Sequence, residues 1–185
     1  MKVSELRDCF IGRTAAVLGG GPSLPADLAR LPADCVLVAV NNHAFYPVEY
    51  CQPDFMVYMD NPRKAPDLAA ALLRFDGVVI SPFEDSGVIL PKGEYYDGGF
   101  SSALAVWFAL WCEHDPVILC GMDCYQGAEK YCHPRPGFHH PVMDLPLADH
   151  LRTWRNVAKH VPHPERIRAM SGPLVEVFGA YEQAQ

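Results

Sequence analysis

The sequence predicts a three-layer α/β fold with a mainly parallel sheet, on three observations. Short runs that are apolar throughout recur along the chain, as strands buried on both faces require. Segments with helical signatures separate several of these runs. Each run stops abruptly at a cluster of Gly, Asn, Asp or Ser. At 185 residues the chain has the length of one domain, 1–185, and with 50% hydrophobic residues against 20% charged it can bury a core.

Taken in order, Val3 to Phe10 opens the chain as a short helical segment. Thr14 to Leu18 is the first buried strand and runs into Gly19-Gly20-Gly21-Pro22-Ser23. A brief helix is expected over Asp27 to Leu31, before Pro32. Cys35 to Val40 makes a stronger strand ended by Asn41-Asn42-His43, and Phe55 to Met59 a third, ended by Asp60-Asn61-Pro62. Pro66 to Phe75 is rich in Ala and Leu with proline in its first turn, a helix-start signature. Gly77 to Ile80 gives another strand, closed by Ser81-Pro82. Beyond Gly98-Gly99, Ser101 and Ser102 lead into a segment apolar on all sides as far as Trp111, which predicts a buried helix with a serine N-cap. Pro116 to Cys120 is a strand, Leu147 to His160 a helix, and Ile167 to Met170 a last short strand before Ser171-Gly172-Pro173. Together these predict a single Rossmann-like domain.

Composition removes several classes of function. Fifteen Lys and Arg against 22 Asp and Glu give a net charge of -7, which argues against a general binder of nucleic acid or of anionic membranes. The longest wholly apolar run, Ala103 to Cys112, is about half of what a bilayer span needs. No basic start followed by an apolar stretch and a cleavage site opens the chain, so a cytoplasmic location is expected. Seven cysteines cannot all pair. Cys112, Cys120, Cys124 and Cys132, interleaved with His114, His133, His139 and His140, raise the question of zinc. No C-x-x-C occurs and Cys120 closes a strand, so reduced structural thiols are expected in place of a metal site.

Ligands of parallel sheets bind beyond the carboxyl ends of the strands, and that is where the polar punctuation falls. Gly19-Gly20-Gly21 can bring bare backbone amides against a phosphate or ribose, or can simply turn the chain. It is no P-loop, since no Gly-Lys-Ser/Thr follows, and no dinucleotide fingerprint, since position 24 is Leu and Pro22 interrupts the loop. Gly99-Phe100-Ser101-Ser102 is either a second anion cradle or the cap of a buried helix. Asn41, Asn42 and Asn61 offer donors and acceptors to a base or sugar, or else terminate strands. Asp123 can hold a ribose hydroxyl, a metal or its own turn. Tyr125 and Tyr131 can donate to phosphate oxygens or anchor a loop. His139 and His140, between prolines, and His150, on the following helix, are candidate bases. Ser-His-Asp hydrolase chemistry has no nucleophile elbow here, since no G-x-S-x-G occurs.

As an ordered set, Gly19-Gly20-Gly21-Pro22-Ser23-Leu24, Asn41, Tyr58-Met59-Asp60-Asn61, Gly99 to Leu110 and Gly121-Met122-Asp123-Cys124-Tyr125 resemble the bacterial lipooligosaccharide sialyltransferases that use CMP-sialic acid. They resemble equally the related group of archaeal 6-hydroxymethylpterin diphosphokinases and flagellin-glycosylation motility accessory factors. The resemblance spans residues 13–132, with a looser tail to Ser171. It implies a Rossmann-like nucleotide-binding domain in which Gly19 to Ser23, Asn41 with Asn42, and Asn61 hold the nucleotide. It implies that Tyr125 and Tyr131, six residues apart, bind the leaving phosphate without a divalent metal. A histidine of the following loop would serve as base, His140 first, with His139 and His150 behind it.

The activity so implied is metal-independent transfer from a CMP-sugar, with no cofactor and a nucleotide or nucleotide-sugar as the small-molecule partner. One alternative is an ATP-dependent diphosphokinase with Mg²⁺ on Asp60 and Asp123; the other is a non-catalytic nucleotide-binding or assembly module. The sequence departs from the sialyltransferase pattern at Gly20, where that family has Asn, and at Gly98 to Ser102, where it has a Thr-Ser-Gly type sequence. Its stretch from Pro62 to Tyr95 is shorter, so the resemblance implies a much-reduced lid or insert over 62–95 and an active-site loop over 133–146, and the basic C-terminal region is missing.

Overall fold

The computed structural model describes residues 3–7, 10–45, 51–83, 87–90, 93, 95–133 and 139–183. Seven parallel strands form one sheet in the order β5-β4-β3-β2-β1-β6-β7. They are β1 (Ala15–Leu18), β2 (Val36–Val40), β3 (Phe55–Val57), β4 (Val78–Ser81), β5 (Val88–Ile89), β6 (Val117–Cys120) and β7 (Ile167–Ala169). The alternation of side chains along a strand sends Ala15, Val17, Val36, Val38, Phe55, Val57, Val117 and Leu119 into one core. It sends Ala16, Leu18, Leu37, Ile118 and Cys120, with Ala39 and Met56, to the opposite face. Both faces need apolar cover, which is why the strand runs carry no polar alternation.

The first face is covered by α4 (Ser101–Trp111), α5 (Leu147–Ala158) and α6 (Val175–Phe178), and by Leu6 of α1 (Val3–Arg7). Every residue of α4 except Ser102 and Trp111 is buried. A helix buried on nearly every side has no solvent face, hence its uniform apolarity. α5 is amphipathic instead: His150, Leu151, Trp154 and Val157 face inward, and Trp154 meets Phe100 and Phe178 edge-on at 5.4 and 5.9 Å. The second face is covered by α2 (Leu24–Leu28) and α3 (Pro66–Leu72), through Leu24 and Leu68.

One sequence expectation needs correction, and one strand is added. The N-cap of α4 is Phe100, in extended conformation and without a side-chain bond. The Ser101 hydroxyl is drawn away to accept the Met59 amide at 3.1 Å, tying α4 to the end of β3. Within residues 62–95, α3 and β4 stand where the helix and strand signatures put them, and β5 is an added edge strand that the sequence reading did not include. The two-residue β5 and the four-residue α6 are too short to leave a periodic signature in the sequence. Among the described residues, no helix is long and apolar enough to cross a membrane.

Strands β1 to β5 build outward in one direction, and the chain then returns to place β6 and β7 on the other side of β1. The order therefore reverses between β1 and β6. A crevice opens at the carboxyl end of such a reversal, because the connections leave the two strands toward opposite faces.

Candidate active site

Leu18 and Cys120 pair at the ends of β1 and β6, and both strands run straight into glycine. Gly19 N–H donates to the Cys120 carbonyl and Gly21 N–H to the Gly121 carbonyl, each at 2.8 Å. None of Gly19, Gly20 and Gly21 lies at positive φ. They are glycine because a Cβ has no room. At Gly19 it would stand 2.5 Å from the Gly121 carbonyl oxygen, at Gly20 it would overlap the His43 ring, and at Gly21 the Asp123 carboxylate.

The glycine turn is therefore filled from inside the protein. Ser23 N–H donates to Asp123 Oδ2 at 3.1 Å, so the amides of Gly19, Gly21 and Ser23 are all engaged. The Gly20 amide has no acceptor among the described residues. Ser23 Oγ lies 2.9 Å from Asp123 Oδ2 and 3.1 Å from Asp27 Oδ2, and with one hydrogen it donates to one of them at a time. Asp27, 1% exposed, also accepts the Gly121 amide at 2.9 Å. This carboxylate, one helical turn beyond Ser23, braces both loops from below.

Past β6 the chain takes an unusual path. Cys124 and Tyr125 are consecutive left-handed residues at φ 51 and 54, a conformation that costs L side chains about 1–2 kcal/mol each. The turn sets the Tyr125 ring 5.8 Å from Tyr131, edge to face, and 5.8 Å from His150. Lys130 Nζ donates to the Tyr125 carbonyl at 2.6 Å, and the Cys132 amide to the Gly20 carbonyl at 2.9 Å. The loop from Tyr125 to Cys132 is thus folded back onto the glycine turn of β1. Tyr131 stacks on His43 at 5.4 Å and meets His133 at 5.5 Å, and His43 Nδ1 lies 3.1 Å from His133 Nε2. Five rings, those of His150, Tyr125, Tyr131, His133 and His43, line the end of the sheet in contact.

The three candidate bases separate. His150 is buried at the start of α5, and its Nε2 has no hydrogen-bond partner. Burial holds this imidazole below its ordinary pKa, with Asp149 and the Val142 backbone pulling the other way. His140 is exposed, and its Nδ1 accepts the Val142 amide at 3.2 Å as N-cap of the 3₁₀ turn Pro141–Asp144. His139, also exposed, pairs with Asp144 at 3.0 Å. The structure thus brings His150 to the tyrosines and leaves His139 and His140 at the surface. Of the expected loop over residues 133–146, residues 134–138 lie outside the described residues.

A second group sits at the ends of β2 and β3. Asn41, at φ 52, donates from Nδ2 to Asp60 Oδ2 at 3.1 Å, while its Oδ1 is buried without a partner. Asn42 is half-buried beside it. Asn61 Oδ1 accepts the Arg63 amide at 2.9 Å, capping the turn Pro62–Lys64. The Gly99 amide donates to Asp97 Oδ1 at 2.8 Å, with Gly99 at φ 82. Ser101 is engaged with Met59, and Ser102 is half-buried on the first turn of α4.

The thiols are quiet. Cys35, Cys51, Cys112, Cys120, Cys124 and Cys132 are free, and burial pushes Cys35 and Cys124 up to about 12, Cys51 to about 11, and Cys120 and Cys132 upward as well. Among the described residues no group of three or more His, Cys, Asp or Glu is placed to hold a metal. Three structural members of the site, Asp27, His43 and His133, are absent from the sequence-based candidates for nucleotide binding and catalysis, His133 having entered only through the question of zinc. Asp27 had a signal, a carboxylate four residues after Ser23 in a helix packed on the core. His43 had one too, as the last of three polar residues closing β2. His133 had none beyond its place beside Cys132.

Comparison with known proteins places the fold. No protein-family description matches the sequence, and no curated protein does. Two solved structures are similar over most of the chain. One is the sialyltransferase CstII from Campylobacter jejuni in complex with a substrate analogue, cytidine-5′-monophosphate. It matches with a TM-score of 0.58 at 13% identity, over 92% of this chain and 85% of that one. The other is the monofunctional α-2,3-sialyltransferase Cst-I from the same organism, at a TM-score of 0.59 and 16% identity, over 91% of this chain and 80% of that one. At such identity the likeness shows a shared α/β three-layer fold.

Proposed function

We propose that the protein is a metal-independent glycosyltransferase that takes its sugar from a CMP-sugar donor. One observation carries this reading. Two tyrosines six residues apart stand beside a buried histidine beyond the β1–β6 reversal, in a fold shared with sialyltransferases.

The chemistry follows from the groups present. With burial favouring the neutral form and Nε2 buried without a hydrogen-bond partner among the described residues, His150 keeps a lone pair on Nε2 for the reaction. That nitrogen takes the proton of the acceptor hydroxyl, whose oxygen forms the new bond to the anomeric carbon. The bond from that carbon to the phosphate oxygen breaks, and its electron pair leaves with CMP. Tyr125 and Tyr131 hydroxyls donate to the departing phosphate, and the Gly20 amide adds a backbone donor. Asn41 Oδ1, buried and unpartnered, accepts from the nucleotide. Geometry favours His150 over His140 as the base, because His140 spends its Nδ1 on the Val142 amide.

A thermal-shift panel of CMP, UDP, GDP, ATP and NAD, each with and without Mg²⁺, tests the reading. CMP is expected to raise the melting temperature without Mg²⁺, by about 2.7 kcal/mol of stabilisation at a hundredfold excess over Kd. Stabilisation by ATP alone, and only with Mg²⁺, would replace the reading with a diphosphokinase. A flat panel would leave a binding or assembly module. In turnover assays Tyr125→Phe with Tyr131→Phe should abolish CMP release while the fold stays intact.

A further inference from the structure

We propose that the buried His43–His133 pair is a positioning unit for the donor phosphate, setting the Tyr131 hydroxyl and the Gly20 amide in place together. The proposal rests on the glycosyltransferase reading above and assigns a role to two residues which that chemistry does not itself use.

The geometry points one way. His43 and His133, 8% and 7% exposed, come from opposite sides of the crevice and meet through ring nitrogens at 3.1 Å. Such a contact needs one ring to donate and the other to accept, so it fixes the tautomer and orientation of both. The pair then acts on two neighbours. The Tyr131 ring lies against both imidazoles, at 5.4 Å from His43 and 5.5 Å from His133. On its other side the His43 ring fills the space where a Cβ of residue 20 would project.

Gly20 is therefore glycine because of His43, and its backbone position is set by the imidazole packed beneath it. The Cys132 amide, next in sequence to both Tyr131 and His133, binds the Gly20 carbonyl from the same loop. Tilting either imidazole moves the phenol and the amide together. Both are donors to the phosphate in the proposed chemistry, and a misplacement of about 1 Å there can cost a hundredfold in rate.

The experiment measures CMP affinity by calorimetry, kcat and KM for a CMP-sugar, and the melting temperature without ligand. His133→Leu, folded by its melting transition, is expected to lose about a hundredfold in kcat with the acceptor KM unchanged, and to bind CMP more weakly. His133→Gln keeps a polar nitrogen near the Nε2 position and should recover most of the loss, which a purely space-filling role would not produce. In a Tyr131→Phe background His133→Leu should cost much less than it does alone, because the part of its effect that runs through that hydroxyl is already gone and only the Gly20 part remains. Gly20→Ala, driven into the His43 ring, should reproduce the defect and add nothing once His43 is also Ala.

Parental kcat and CMP affinity in His133→Leu would overturn the proposal. So would losses from His133→Leu and Tyr131→Phe that simply multiply. Should His133→Leu fail to fold, the Gly20→Ala and His43→Ala cycle decides alone, and independent effects there overturn it. A parental protein that neither binds CMP nor consumes a CMP-sugar removes the functional reading and this proposal with it. An active parent with indifferent variants removes the proposal alone.

Discussion

Asp27 shows how much of the site is held by residues with no direct part in its chemistry. Its carboxylate, buried in an otherwise apolar helix, takes the Gly121 amide and shares the Ser23 hydroxyl with Asp123. Replacing it with Leu leaves the Gly121 amide without its acceptor next to the core. Asp27→Leu is expected to lower stability in urea denaturation by about 1–3 kcal/mol, while Asp27→Asn, which keeps an acceptor oxygen, should lose less. Gly21→Ala puts a methyl group into the Asp123 carboxylate and should cost about 1–3 kcal/mol in the same measurement. The chemistry of these residues was only partly legible in the sequence. The glycine triplet was conspicuous, but its reason, close approach by His43, Asp123 and Gly121, involves residues far along the chain. Asn61 and Gly99 carried two open readings each, and the hydrogen bonds they make are those of a turn cap and a tight turn.

Elements were more legible than sites, because burial on two faces leaves a plain mark. Every strand of four or five residues was readable as an apolar run, since β1, β2, β4 and β6 have helices or turns on both sides. β5, with two residues at the sheet edge, had too few positions to show any pattern. α4 was legible for the same reason as the strands, yet its cap was not. A serine before a helix usually caps it, but here the hydroxyl was claimed by the Met59 amide. Since α4 is buried on nearly every side, its centre tolerates no void. Phe108, fully buried against Phe55 at 5.3 Å, should cost about 3–5 kcal/mol when changed to Ala, read from the denaturation midpoint at constant slope.

At the scale of the whole molecule, stability is tied to pH through buried imidazoles. His114 has no exposed surface, stacks on Phe10 at 5.4 Å and bonds the Arg13 carbonyl at 2.9 Å. Burial lowers its pKa, as it does for His150. A histidine whose folded pKa lies below its unfolded value binds more protons when unfolded. Its contribution is therefore complete above the unfolded pKa of about 6.5 and is lost as pH falls through that value. Glu113, held below its ordinary pKa by Arg7 and Arg166, carries the same sign into more acidic conditions. The denaturation midpoint should thus be flat between about pH 7 and pH 8, decline below about pH 6.5, and decline again above about pH 8.5, where the buried thiols resist the ionisation open to them when unfolded. His114→Gln should flatten the upper part of the acid decline. A midpoint rising on acidification through that window would contradict this assignment.

The sequence by itself determined the layered α/β architecture, the rim of polar residues at the strand ends and the pair of tyrosines. These are local properties: an apolar run, a breaker and a fixed spacing are all visible within a dozen residues. Only the tertiary structure decided which histidine meets the tyrosines and why residue 20 is glycine. Each of those depends on a contact between distant parts of the chain, such as His43 with His133 across 90 positions. Such contacts follow from the parallel pairing of β1 with β6, distant in sequence, and leave no periodic mark in the residues that make them.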